Sequence, residues 1–276
     1  MAKIYQQGRL KYMSKKKKIL ATNISRPQWE SVKKAYDEIN TASPSDKNLQ
    51  TIFKQAIIEN GIWRGKTKEE ANIVAENTIE SINNNKYDDF VWQRYALVGG
   101  QPLKEYINHR KLFDKNYEYK DYSNTCALRM SYALNNGGMP LKTMLTNEIS
   151  SKIGGILQGK NNHKYVMGAK NMGNFLQTIW GIKNDDKYFD FTKNDTFSKC
   201  IKWLKENSNN GIVVMEFANS LATGHTTLWY NDGDSGHLYD DKKIGVNIQI
   251  DNKKEDTLLN YLNYYKAKNF YFWRLK

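Results

Sequence analysis

Cysteine and histidine are both scarce, with two and four among 276 residues. Cys126 and Cys200 are too few for a disulfide framework, and neither belongs to a CxxC pair. His109, His163, His225 and His237 show no HExxH or other paired spacing, so neither zinc nor any other metal or cofactor is expected. Long apolar runs are missing as well. They stop at four residues, as in IVVM at 212–215, against the roughly 20 that a membrane helix needs. A secretory leader is not expected either. KKKK at 15–18 is followed by Ile19, Leu20 and Ala21 and then at once by Thr22 and Asn23, where a leader carries about 7–15 apolar residues.

Apolar residues make up only 39%, and 42 Lys and Arg against 29 Asp and Glu leave a net charge of +13. That combination can signal disorder. The 7 Trp, 18 Tyr and 10 Phe argue for a packed core instead, because each ring buries a large area. The length fits one large domain, or one domain with an added segment. The charge points to an acidic partner: nucleic acid, anionic lipid or a cell-wall polymer. A soluble protein from a Lys-, Asn- and Tyr-rich proteome would carry the same surplus. A non-catalytic nucleic-acid binder is disfavoured, because the rings fall at core spacing and no RRM, KH or helix-turn-helix signature is present.

Along the chain, residues 1–23 are expected to form a flexible basic arm. Ser25, Arg26 and Pro27 open a helix with Trp29, Val32, Tyr36 and Ile39 on its inner face. Helices are predicted over 45–59, stopped by Gly61, and over 66–82, stopped by three asparagines. Residues 98–102 (VGGQP) predict a turn or loop, and 150–165 an exposed loop. Between these lies a helix over 124–134, with Ala127, Met130 and Leu134 on one face and Gly137 and Gly138 after it. Two more helices are predicted over 168–180 and 195–207. The apolar period then changes from 3.6 to 2. Strands are predicted at 211–217 and 224–230, the turn NDGDSG at 231–236, and strands again at 237–240, 245–250 and 269–275, with a short helix near 254–265. Helices followed by an antiparallel sheet define the α+β class.

The two cysteines differ in setting. Cys200 falls on the apolar stripe of its helix, where a thiol packs as a small hydrophobe. Cys126 follows Ser123, Asn124 and Thr125, three capping residue types, and so stands at a helix N-terminus. There the dipole stabilises a thiolate, and the exposed amides can hold an oxyanion. A buried, inert thiol fits the local sequence equally well. His225 opens a strand after Gly224 and alternates with Thr227 and Trp229, which would present its ring rigidly. His109 and His163 read as solvated, and His237 is the weaker alternative to His225. A group that orients the imidazole would lie past the turn, at Asp240 or else Asp241. Asp232 and Asp234 belong to the turn itself.

NTCALRMSYALN at 124–135, followed by GGMP at 137–140, resembles the nucleophile helix of the type VI secretion amidase effectors, family four. ATGHTTLW at 222–229 resembles the histidine strand of the same family, SRPQW at 25–29 its first helix start, and FYFWRL at 270–275 its closing strand. The family is papain-like and NlpC-related, and it cleaves the γ-D-glutamyl–diaminopimelate amide of peptidoglycan stem peptides. The resemblance implies Cys126 as nucleophile, His225 as general base and Asp240 as the orienting carboxylate, with Asp241 second. It also implies a papain-like domain over 24–276, with 45–85 as an inserted helical segment. A dedicated immunity protein would be the inhibitor. The type VI apparatus would deliver the effector from the bacterial cytoplasm to the periplasm of a target cell. A papain-like cysteine protease acting on another substrate is the alternative.

Overall fold

The computed structural model describes residues 24–87, 91–113, 124–207, 209–218, 223–231, 236–239, 249–250 and 257–276. The expected arm at 1–23, the interior of the turn at 232–235 and the strand residues 245–248 lie outside them. The chain is α+β and divides into two compact units. One comprises 30–143 and 155–167. The other comprises residues up to 29, 144–154 and 168–276.

The first unit is built from helices α1 (Trp29–Asn40), α2 (Lys47–Trp63), α3 (Lys68–Asn83), α4 (Trp92–Val98), α5 (Gly100–His109) and α6 (Cys126–Asn136). It also holds a hairpin of β1 (Ile156–Gln158) and β2 (Lys164–Val166). In α1, Val32, Tyr36 and Ile39 are fully buried, as their spacing predicts. Leu49, Phe53 and Ile57 of α2 join Trp92, Tyr95, Tyr106 and Leu128 in one core. Phe53 stacks on Trp92 at 5.0 Å, and Tyr95 on Tyr106 at 4.6 Å.

The structure differs from the sequence pattern at three places. Gly61 does not stop α2, which begins after the Asp46 cap and runs on to Trp63. A Cβ at Gly61 would meet Ala71 Cβ at 2.7 Å and Phe113 Cζ at 2.8 Å, so the glycine serves close packing rather than termination. VGGQP is not simply a turn, because α4 and α5 meet at Gly99, whose φ of 64° makes the break. Pro102 falls in the first turn of α5, where a missing N–H costs no helical bond. Residues 150–165 are not a loop either. They hold the end of α7 (Asn147–Ile153) and the β1–β2 hairpin.

The second unit contains α7, α8 (Ala169–Trp180), α9 (Phe197–Glu206) and α10 (Thr257–Tyr264) around a six-stranded antiparallel sheet. Its strands are β3 (Lys187–Asp190), β4 (Gly211–Phe217), β5 (Gly224–Asn231), β6 (Gly236–Tyr239), β7 (Gln249–Ile250) and β8 (Ala267–Arg274), in the order β3-β8-β4-β5-β6-β7. β3, four residues of mixed polarity, was not among the expected strands. Val213, Met215, Trp229, Phe270 and Phe272 share a core with Cys200 and Leu204 of α9 and with Leu258 and Leu262 of α10. α8 approaches through Gly173, where an added Cβ would lie 3.2 Å from Val214. The buried carboxylate of Asp186 accepts from both terminal nitrogens of Arg26 at 2.5 Å, from the Lys183 N–H at 2.8 Å and from the Arg274 N–H at 3.1 Å. One side chain thereby ties three separate stretches of chain together.

Candidate active site

Cys126 is the first residue of α6 and is 2% exposed. Its placement at a helix start agrees with the sequence reading, but the helix differs from a one-sided amphipathic one. Every residue from Cys126 to Asn135 is buried. Polar side chains inside this helix therefore make specific bonds. Ser131 Oγ accepts from the Val166 N–H at 2.9 Å and donates to its carbonyl at 3.2 Å, which fastens α6 to β2. Asn135 donates to the Lys164 carbonyl at 2.8 Å and accepts from the Leu141 N–H at 2.8 Å. Arg129 donates to Asn40 Oδ1 at 3.0 Å and lies over the Tyr36 ring at 5.4 Å. Gly137 follows the helix where a Cβ would strike Ala133 O at 2.5 Å and Val32 Cα at 2.8 Å. The nucleophile candidate thus rides on a helix held on all sides.

The Cys126 N–H donates to Asn124 Oδ1 at 3.2 Å. Thr125 holds the cap position of α6 but makes no side-chain cap bond. Its Oγ1 accepts instead from Arg94 Nη1 at 3.0 Å. Arg94 was not singled out from the sequence. In WQRYALV it looks like any polar residue of a short helix, and only its 3% exposure marks it out.

His225 lies in the second unit, part-buried on β5 and paired with Met215 of β4. Gly224 just before it allows close approach: a Cβ there would stand 2.5 Å from Met215 O and 3.2 Å from Ala169 Cβ. The imidazole meets Tyr261 edge-on at 6.3 Å, beside Phe217 and Tyr265. Along the same strand the Thr227 hydroxyl donates to the Tyr239 carbonyl at 2.8 Å, and Trp229 is fully buried. A backbone-paired strand carries His225, as the sequence pattern predicts. Asp240 and Asp241 lie outside the described residues.

Of the remaining candidates, Cys200 is fully buried in the core under α9, where the sequence places it. His237 on β6 packs its ring against Tyr230 and Tyr239. His109 is not solvated. It ends α5 with 6% exposure, its Nε2 3.8 Å from Glu105. His163 is part-buried, and burial, then Lys142 and Lys160, lower its pKa from the ordinary value. Among the described residues no cluster of three or more His, Cys, Asp or Glu could hold a metal ion, and no helix is long and apolar enough to cross a membrane.

A family model described as "Type VI secretion system (T6SS), amidase effector protein 4" matches residues 122–273, more than half of the chain. The chain belongs to this family. Cys126 and His225 both fall within the matched residues, whereas α1 to α5 precede them. No curated protein matches the chain. Among solved structures, the effector is similar to the type VI effector–immunity complex Tae4–Tai4 from Enterobacter cloacae, with 19% identity and a TM-score of 0.44 over 91% of this chain and 99% of that one. The corresponding complex from Salmonella Typhimurium gives 17% identity and a TM-score of 0.46 over 91% and 100%.

Proposed function

We propose that this type VI amidase effector cleaves the γ-D-glutamyl–diaminopimelate amide of peptidoglycan by cysteine catalysis. The observation that carries the reading is Cys126 as the first residue of a helix buried from Cys126 to Asn135, inside the stretch matched by an amidase family. His225 takes the thiol proton, and the Cys126 thiolate attacks the scissile carbonyl. First-turn amides of α6 hold the oxyanion, with the Cys126 N–H exchanging its Asn124 partner for it. As the tetrahedral intermediate collapses, His225 protonates the leaving amine of diaminopimelate. Water, deprotonated by His225, then releases the glutamyl carboxylate and restores the thiol. Asp240 orients the imidazole, with Asp241 as second choice.

The effector is delivered by the type VI apparatus, acts in the periplasm of a target cell and is inhibited by a cognate immunity protein. The effector–immunity pairing of the similar solved structures supports that last point. Residues 45–85, ahead of the matched residues, are an added helical segment on this reading.

Mass spectrometry of muropeptide digests tests the chemistry. Cys126→Ala is expected to abolish cleavage with an unchanged circular-dichroism spectrum, and activity near wild type in that variant would sink the proposal. In the same assay Asp240→Asn should be crippled and Asp241→Asn spared. The reverse result moves the orienting role to Asp241.

A further inference from the structure

Among the described residues four helices begin at a threonine cap, and three of them use it in the ordinary way. Thr67 Oγ1 accepts from the Glu70 N–H at 3.1 Å, Thr146 Oγ1 from the Ile149 N–H at 3.3 Å and Thr196 Oγ1 from the Lys199 N–H at 3.2 Å. All three caps are extended in backbone conformation. Such a bond stabilises the start of a helix. The fourth is Thr125, ahead of Cys126. Its φ of −92° and ψ of 11° turn it away from the capping geometry, and its hydroxyl bonds to the Arg94 guanidinium instead. Both partners are buried, at 3% and 2% exposure, inside the first unit. A buried guanidinium must be well bonded, and the Thr125 hydroxyl supplies one of those bonds at the start of α6.

We propose that Arg94 is a positioning residue for the nucleophile. By holding the Thr125 hydroxyl it keeps that oxygen off the first turn of α6, where the Cys126 N–H donates to Asn124 Oδ1 at rest, and so leaves the dipole and those amides to the thiolate and the oxyanion once Asn124 is exchanged. It also fixes the residue that sets where the Cys126 side chain starts. The inference rests on the reading of Cys126 as nucleophile. Two other charged groups on or against this helix bond elsewhere: Arg129 donates to Asn40, and Glu38 of α1 accepts from the Tyr132 hydroxyl at 2.6 Å.

The test uses the full chain with Thr125→Val, Thr125→Ser, Arg94→Lys, Arg94→Met and the Arg94→Met/Thr125→Val pair. Three quantities are read: kcat and KM on purified muropeptide, the rate of Cys126 alkylation by iodoacetamide located by peptide mass spectrometry, and the melting temperature. Thr125→Val should lower kcat on the order of tenfold or more, the size of one lost charge-assisted hydrogen bond. KM should stay within about twofold, since the interaction matters to the reacting atoms rather than to substrate binding. Thr125→Ser, which keeps the hydroxyl, should restore the rate. Arg94→Met should match Thr125→Val, Arg94→Lys should fall between it and wild type, and the pair should lose no more than either single variant. Alkylation should slow in the same order.

A Thr125→Val protein that keeps wild-type kcat and alkylation overturns the proposal, as do losses that multiply in the pair. A lowered melting temperature with unchanged kcat in the folded fraction assigns Arg94 to the scaffold alone and also overturns it. If the wild type cleaves no muropeptide, the functional reading fails, and the alkylation series still decides the role of Arg94.

Discussion

Asp186 shows how much a single buried carboxylate can hold. Its oxygens take four hydrogen bonds, two of them from Arg26, whose guanidinium also donates to the Arg274 carbonyl and lies over Trp180 at 5.2 Å. Asp186→Asn leaves that guanidinium without its counter-charge, a change that costs about 3–5 kcal/mol when the partner is buried. Urea denaturation should show a loss of that size, and a loss below about 1 kcal/mol would place the pair among ordinary surface bridges. His163 gives a pH signature. Its pKa is lowered in the fold, so the unfolded chain binds the proton more readily. The stabilising effect is complete above the ordinary histidine value and is lost as pH falls through the lowered one. Denaturation midpoints of wild type should therefore drop on acidification below about pH 6.5, and His163→Gln should remove part of that drop. Residues whose place in the fold follows from their immediate neighbours are legible in the sequence: Cys126 at a helix start after a run of capping types, His225 on a strand after a glycine, Cys200 on an apolar stripe. His109 and Arg94 were not, because their burial depends on partners distant in the chain.

Among the elements, long periodic helices were read within a few residues, and the errors cluster at glycines. A glycine can end a helix or admit a neighbour, and local sequence does not distinguish the two. Gly61 admits Ala71 and Phe113; Gly99 does make a break, but between two helices rather than inside a loop. Gly61→Ala separates these roles. Alanine normally favours a helix interior over glycine by about 1 kcal/mol. Here the crowded Cβ should outweigh that gain, with a net loss on the order of 1–3 kcal/mol by overpacking. A raised melting temperature for Gly61→Ala would show that α2 and α3 separate freely. β3 was missed for another reason: KYFD is too short and too polar to show a period, and only pairing with β8 makes it a strand.

For the whole molecule, composition alone allowed nucleic acid, lipid or wall polymer as acidic partners of a +13 chain. Membership of an amidase effector family favours the wall polymer. We propose that the charge serves encounter rather than bond cleavage, through long-range attraction that salt screens. Replacing the lysines at 15–18 by glutamine should weaken sedimentation with purified sacculi at low salt and leave turnover of small soluble muropeptides unchanged. Equal loss in both assays would instead tie those lysines to catalysis. The α+β class was legible from the switch of apolar period, whereas the strand order was not, because pairing between distant strands leaves no local trace.

That strand order also sets a schedule. β8 lies between β3 and β4, yet it is translated after both. While a ribosome is still making the intervening residues, β3 has no neighbour and β4 can pair only with β5. Such open edges persist until the later strand inserts, and long-range insertion is a slow step of folding. The β4–β5 pair that carries His225 therefore gains its β8 neighbour only once β8 itself has been made.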